Sequence, residues 1–201
     1  MLTARRDRLK QELKKEILSA ARDMFVREGY ENVTMRKIGK RVGVAPGTIY
    51  HHFEDKDAIL ACICEETFAR LDKRMEALVR DPGDDPLECL RRGGRLYIQF
   101  GLEHPERYFL TFALSSAPKP ESVRNTGLRS FDCLRDGVRA CVEAGLTRST
   151  DVEELAQSLW ASMHGVVMLL IAKPGFPFIE QSRLIESVLD IAIEGIRKRP
   201  A

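Results

Sequence analysis

Apolar residues recur along this chain at spacings of three, four and seven, with almost no alternation at two, so whatever core it buries must be built from helices. Ile17, Ala20, Ala21, Met24 and Phe25 fall on one stripe and Gly29 follows as a stop, which predicts a first helix from roughly Gln11 to Glu28. Later breaks fall at Asp81-Pro82-Gly83-Asp84-Asp85-Pro86, His104-Pro105, Ala117-Pro118-Lys119-Pro120, Gly145 to Asp151, and Lys173-Pro174-Gly175-Phe176-Pro177. The segments between them give an all-α chain of about nine helices, three of them within the first ~53 residues. Asp55 is placed to cap the fourth, which runs to about Arg80 and connects the head to the rest. With 44% hydrophobic and 31% charged residues over 201 positions, the chain is too apolar for disorder and has enough surface to bury for one sizeable core or two modest ones.

A short stretch carries the chemistry. Thr34 is a good N-cap, and Met35, Ile38 and Val42 give a helix of about two turns with one buried face. Gly43 ends it by supplying the left-handed backbone that a sharp helix-to-helix turn needs, and Val44 is placed to pack back into the small core. Pro46 suits the first turn of the next helix, expected from Pro46 to Phe53, with Ile49 and Phe53 inward and Gly47, Thr48, Tyr50 and His51 outward. Such a pair is either an ordinary helical corner or a helix-turn-helix whose second member enters a major groove. The small outward residues, which let the backbone approach bases, and the flanking cations Arg36, Lys37, Lys40, Arg41 and Lys56 favour the second reading.

Charge agrees in direction. Net charge is only +2, but residues 1–56 hold 13 Lys and Arg against 8 Asp and Glu, while the remainder holds 19 against 22. A polyanionic partner for the first quarter follows. The cluster Arg5, Arg6, Arg8 and Lys10 ahead of the first helix reads as an arm for phosphate or minor-groove contacts, or as a solvated tail.

The run from Ile17 to Leu60, with Ala20-Ala21, Phe25, Gly29-Tyr30, Val33-Thr34, Ile38, Val42-Gly43-Val44, Pro46-Gly47-Thr48-Ile49-Tyr50, His52-Phe53 and Lys56, resembles the DNA-binding domain of the TetR family of transcriptional regulators. The resemblance implies that Thr34 and Tyr50 bind phosphates, that Gly47, Thr48 and His51 approach bases, and that Lys56 pairs with a phosphate; Arg36 and Pro46 complete the expected DNA-binding set. Hydroxyls and a Lys at helix starts suit phosphate oxygens, and Thr and His suit base edges or a thymine methyl. Two positions depart from the family pattern. Ala45 stands where a Ser or Thr cap is common and Gly39 where Ala is usual, each a cost of about 1 kcal/mol that would soften the free head.

Beyond residue 57, His104-Pro105-Glu106 with the aromatics after it and the later Trp160-x-x-x-His164-Gly165 resemble the C-terminal ligand-binding domain of one TetR subgroup. Trp160, Met163, His164, Val167, Met168 and Ile171 form one helical stripe, and Ser158, Ser162, Gly165, Leu169 and Ala172 form a second made mostly of small residues. The small-residue side admits a second helix closely, and the last helix, with Ile185, Val188, Leu189, Ala192 and Ile196, matches it as a partner. A homodimer through a four-helix bundle is expected from these two helices. Tyr97, Phe100, Phe109, Phe112, Trp160, Met163, His164 and Met168 are candidates to line an apolar ligand cavity, or else simply pack as core.

Five cysteines in no framework spacing read as reduced thiols. Cys62 and Cys64, two apart on a helix, cannot close on one ion, nor can the adjacent His51 and His52, so no metal and no cofactor is expected. No stretch reaches the roughly 18 apolar residues of a membrane span, and the charged start, Met1 to Lys15, leads into no apolar segment, so a cytoplasmic location is expected. The domains expected are a helix-turn-helix head, 1–56, and a larger helical ligand-binding and dimerisation domain, 57–201. The function expected is a repressor released from double-stranded palindromic operator DNA by an unknown small hydrophobic effector. The alternatives are a DNA-binding regulator that senses thiol oxidation, with Cys89 near Arg92 and Cys141 near Arg139 as the thiols with a neighbouring cation, and a helical enzyme, for which four scattered His residues offer no constellation.

Overall fold

A computed structural model describes residues 2–79, 85–114 and 121–199. The breaks expected at Asp81 to Asp84 and at Ala117 to Pro120 lie outside them, as does the fourth helix's expected end at Arg80. Among the described residues there are nine α-helices and no strand: α1 Leu2–Glu28, α2 Met35–Val42, α3 Pro46–Tyr50, α4 Lys56–Val79, α5 Pro86–Glu103, α6 Pro105–Tyr108, α7 Glu121–Glu143, α8 Val152–Ala172 and α9 Gln181–Ile196. A single 3-10 turn, Tyr30–Asn32, follows α1, and a π-helical turn, Phe109–Ala113, continues α6.

The chain folds into two compact units, residues Met1–Thr67 with Glu106–Arg124 and residues Phe68–Pro105 with Asn125–Ala201. In the first, α1 packs on α2 and α2 on α3. Its core gathers Ile17, Ala21, Met24 and Phe25 of α1 with Tyr30, Val33, Ile38, Ile49, Phe53 and Ile59, all buried. Helix α1 begins earlier than the apolar stripe foretold. Most residues ahead of Gln11, the Leu, Ala, Arg and Lys among them, are strong helix formers, and Arg8 pairs with Glu12 one turn on at 3.0 Å, so the helix extends past the last residue it has to bury.

In the second unit α5, α8 and α9 pack mutually. Gly94 lies at their crossing: a Cβ there would stand 2.8 Å from Leu189 Cδ2 and from the Met163 thioether, so the ends of these two flexible side chains would have to shift to admit one. Two ion pairs, Arg95–Glu186 at 2.6 Å and Arg91–Asp190, fasten α5 to α9. Among the described helices α8 is long and apolar enough, by length and composition, to cross a membrane, contrary to the expectation that no such stretch exists. Its inward face, Leu155, Ala156, Leu159, Met163, Val166 and Val167, is nonetheless covered by α5 and α9 of its own unit.

The last helix differs from expectation in which face is free. Ile185, Leu189 and Ile196, expected at a dimer interface, are buried within their own protomer, together with Ile193. The face left outward carries Ile191, 71% exposed.

Candidate nucleic-acid interface

The head is assembled by local chemistry. The Thr34 hydroxyl accepts from the Lys37 amide at 3.3 Å, capping α2 as expected. Gly43 closes α2 with φ +82°, and its amide and that of Val44 both donate to the Gly39 carbonyl, at 2.9 and 3.0 Å. Gly39 lies under this turn: a Cβ would sit 3.1 Å from the Val44 carbonyl oxygen, so the glycine that costs α2 propensity lets the turn close down on it. Pro46 occupies the first turn of α3, and Ala45 caps it with no side-chain bond.

Helix α3 ends at Tyr50 rather than Phe53. The turn continues, since the Phe53 amide donates to the Ile49 carbonyl at 3.0 Å, but the chain must then reverse into α4, whose cap is the Asp55 carboxylate accepting from the Ala58 amide at 2.7 Å. Ile49 and Phe53 are buried as expected. Pro46, Gly47, Tyr50 and His51 are exposed and Thr48 is half-buried, and nothing lies within 4 Å of where a Gly47 side chain would start. The outer surface of α3 is therefore small at its start and hydroxyl-bearing and aromatic a turn later, with Arg36 exposed on α2.

Lys56 is more embedded than a phosphate ligand alone would require. Its ammonium donates to the Tyr30 carbonyl at 3.1 Å, lies 4.2 Å from the centre of the Tyr30 ring and stands 3.8 Å from the Glu31 carboxylate. Lys37 is likewise held, by the Asn32 carbonyl at 2.8 Å and Glu28 at 3.3 Å. Neither tie is visible in sequence, because both run from α2 or α4 back to the turn after α1. Burial, then the charges of Lys10, His51 and Lys14, hold the His52 imidazole below its ordinary pKa and favour its neutral form.

The proposed ligand residues separate. Phe109 and Phe112 lie in the first unit, where Phe112 packs on Tyr108 with ring centres 4.6 Å apart. In the second unit Phe100 is fully buried against His104, and Met163 is core against Gly94. Three of the set converge: the Trp160 Nε1–H donates to the Tyr97 hydroxyl at 3.1 Å, and the His164 Nδ1 lies 3.5 Å from the same oxygen. Phe131 of α7, which no motif pointed to, stacks edge-on against Trp160 at 5.7 Å. Met168 is half-buried one turn beyond His164. Burial alone pushes the His164 pKa down.

The five cysteines are present as thiols and not as disulfides. Burial raises the pKa of Cys62 and Cys133 and takes Cys141 to about 11, which suppresses the thiolate that oxidation needs. Arg139, expected beside Cys141, pairs with Asp136 instead, whereas Arg92 does reach Cys89, at 3.7 Å.

A three-helix head with a tight glycine turn and an outward, small-residue second helix, ahead of a larger helical unit, defines a helix-turn-helix regulator. Residues 17–63 match the family model described as bacterial regulatory proteins, tetR family, and residues 90–192 match the tetracyclin repressor-like C-terminal domain, so the chain belongs to the TetR family. It is 32% identical over 96 residues to the HTH-type transcriptional repressor AcnR of Corynebacterium efficiens, a match covering 47% of this chain and 43% of that protein. With the HTH-type transcriptional regulator AcrR of Shigella flexneri it shares 28% identity over 143 residues, 67% of this chain and 66% of the other. The fold is also that of the fatty acid degradation regulator FadR of Bacillus halodurans, with a TM-score of 0.76 at 20% identity over 92% of this chain and 97% of that one. The ketosteroid transcriptional regulator KstR2 of Mycobacterium tuberculosis gives 0.70 at 23% identity, covering 92% and 95%.

Proposed function

We propose that this chain is a cytoplasmic transcriptional repressor that binds a pseudo-palindromic operator as a homodimer and is released by a small apolar effector. The observation that carries the proposal is the outward surface of α3, where Gly47 offers only backbone and Thr48, Tyr50 and His51 follow within one turn, a surface shaped for a major groove. Thr48 and His51 read bases. Thr34, Arg36, Tyr50 and Lys56 hold phosphates, with Pro46 fixing the start of the helix.

Residues 1–56 act as the reading head, and 57–201 dimerise and bind the effector. Support for the effector site comes from Tyr97, Trp160 and His164, three polar tips meeting beside the aromatic face of Phe131. Support for the dimer comes from the outward faces of α8 and α9: α8 exposes Leu169 on the stripe that carries Ser158, Ser162 and Gly165, and α9 exposes Ile191.

Helix α4 starts in the head and ends in the second unit, so an effector that prefers one tilt of α4 changes the match of two heads to their half-sites. Moving a 99:1 equilibrium to 1:99 takes roughly 10⁴-fold preference. Linkage then requires that operator DNA weaken effector binding by the factor by which effector weakens operator binding. Trp160 is the chain's one tryptophan, so its emission reports both titrations. An effector affinity that operator DNA leaves unchanged would exclude this mechanism for that compound.

A further inference from the structure

The inward stripe of α1 changes character halfway along the helix. Ile17, Leu18, Ala21, Met24 and Phe25 are buried in the head, but the same face, continued backwards at four-residue steps, carries Lys14, Lys10 and Arg6. A face that keeps its direction while exchanging apolar groups for cations is no longer meant for the protein's own core. One contact and one electrostatic effect show where it leads. The Lys14 ammonium lies 5.6 Å from the centre of the Phe53 ring, at the end of the recognition segment, and the positive charges of Lys10 and Lys14 reach the His52 imidazole. The basic stripe therefore abuts the end of the helix that carries the proposed base contacts. The acidic residues Glu12 and Glu16 fall away from it, Glu12 held by Arg8 on another face, while Asp7 borders its edge. The stripe also lies ahead of the segment that matches the family's DNA-binding model, which begins at residue 17.

We propose that Arg6, Lys10 and Lys14 form a rigid ridge that grips duplex phosphates flanking each half-site, extending the footprint beyond the helix-turn-helix. Because the residues stand on a helix rather than a flexible arm, the ridge tracks the backbone and does not enter the minor groove, so it adds affinity and salt dependence without sequence preference. The inference rests on the reading of the head as a DNA-binding domain.

The test compares two double variants with equal loss of charge: Arg6→Ala with Lys10→Ala on the ridge, and Arg8→Ala with Lys15→Ala off it. All four side chains are exposed, so neither variant should disturb the fold. The probes are duplexes enriched from a randomised library by the wild-type protein, and a non-cognate duplex of the same length. For the ridge variant, the slope of log affinity against log salt should flatten by about 0.9 for each phosphate left without its cation, close to two for each half-site and so about 3.6 for the dimer, on both probes and with the preference between them unchanged. The off-ridge variant should keep the wild-type slope. Equal slopes for the two variants would overturn the ridge, as would a ridge variant that changes sequence preference at constant slope, the mark of minor-groove reading. A wild-type protein that binds neither probe would instead overturn the DNA-binding reading itself and the ridge with it.

Discussion

The ammonium of Lys56, the first residue of α4, sits 4.2 Å above the ring of Tyr30 and donates to the Tyr30 carbonyl at 3.1 Å, tying the fourth helix to the turn that follows the first. The same cation is thus asked to hold the head together and to meet a phosphate. Lys56→Met keeps the aliphatic stem over the ring and removes the charge. We expect it to lower stability by about 1 kcal/mol, the net worth of a partly exposed charged hydrogen bond, and to weaken binding to all duplexes alike. Thermal unfolding and DNA titration read the two effects separately. Lower stability with unchanged DNA affinity would make Lys56 a positioning residue only.

Tyr50 and Thr48 should separate affinity from specificity. Tyr50 is 56% exposed, so Tyr50→Ala should leave stability intact while lowering affinity for every sequence. Thr48→Ala should mainly relax discrimination at one base position, by about 1 to 3 kcal/mol. Competition binding against single-base operator variants checks the assignment, and a Tyr50→Ala protein with altered sequence preference but intact nonspecific affinity would reverse the roles.

Association should be breakable at Gly165. Nothing lies within 4 Å of where its Cβ would be, so the side chain of Gly165→Glu starts into open space within the protomer. The expected protein keeps its helical circular dichroism but runs as a monomer in light scattering and binds operator far more weakly, each chain having one half-site. A wild-type protein that is monomeric at micromolar concentration would refute the dimer.

How much of the fold and site is legible in residues alone depends on range. Thr34, Gly43, Pro46 and Asp55 act on backbone within a few positions, and their roles are legible because capping and turn chemistry are local. The partner of Trp160 lies 63 positions away in Tyr97, and no periodicity within one helix could supply it. The outward face of α9 escapes the pattern for a related reason. Both of its faces carry apolar residues, and only the placement of α5 and α8 decides that Ile185 and Leu189 turn inward while Ile191 is left out. Phe109 and Phe112 follow Phe100 closely in the chain, yet after the break at His104-Pro105 they belong to the other unit.

His164 gives the second unit a pH dependence of definite sign. Burial holds its pKa below the ordinary 6.5, so the neutral ring is favoured in the fold and the unfolded chain takes up the proton first. The stability it contributes is complete above 6.5 and is lost as the pH falls through its lower folded value. An imidazolium quenches indole emission, and the His164 ring centre is 5.6 Å from that of Trp160. Folded-state fluorescence should therefore drop on acidification with a midpoint below 6.5, and His164→Gln should abolish the step. A midpoint above 6.5 would contradict the assignment.

Sequence-specific reading of duplex DNA by the outward surface of α3 is the claim on which the account turns, and selection of bound duplexes from a randomised library, followed by sequencing, measures it directly. The account predicts an enriched pseudo-palindrome whose half-sites are centred about 34 Å apart or a multiple of that, lost when Thr48 and His51 are both replaced by Ala. Retention of duplexes without any enriched motif, or an enriched motif that survives the double replacement unchanged, would contradict it.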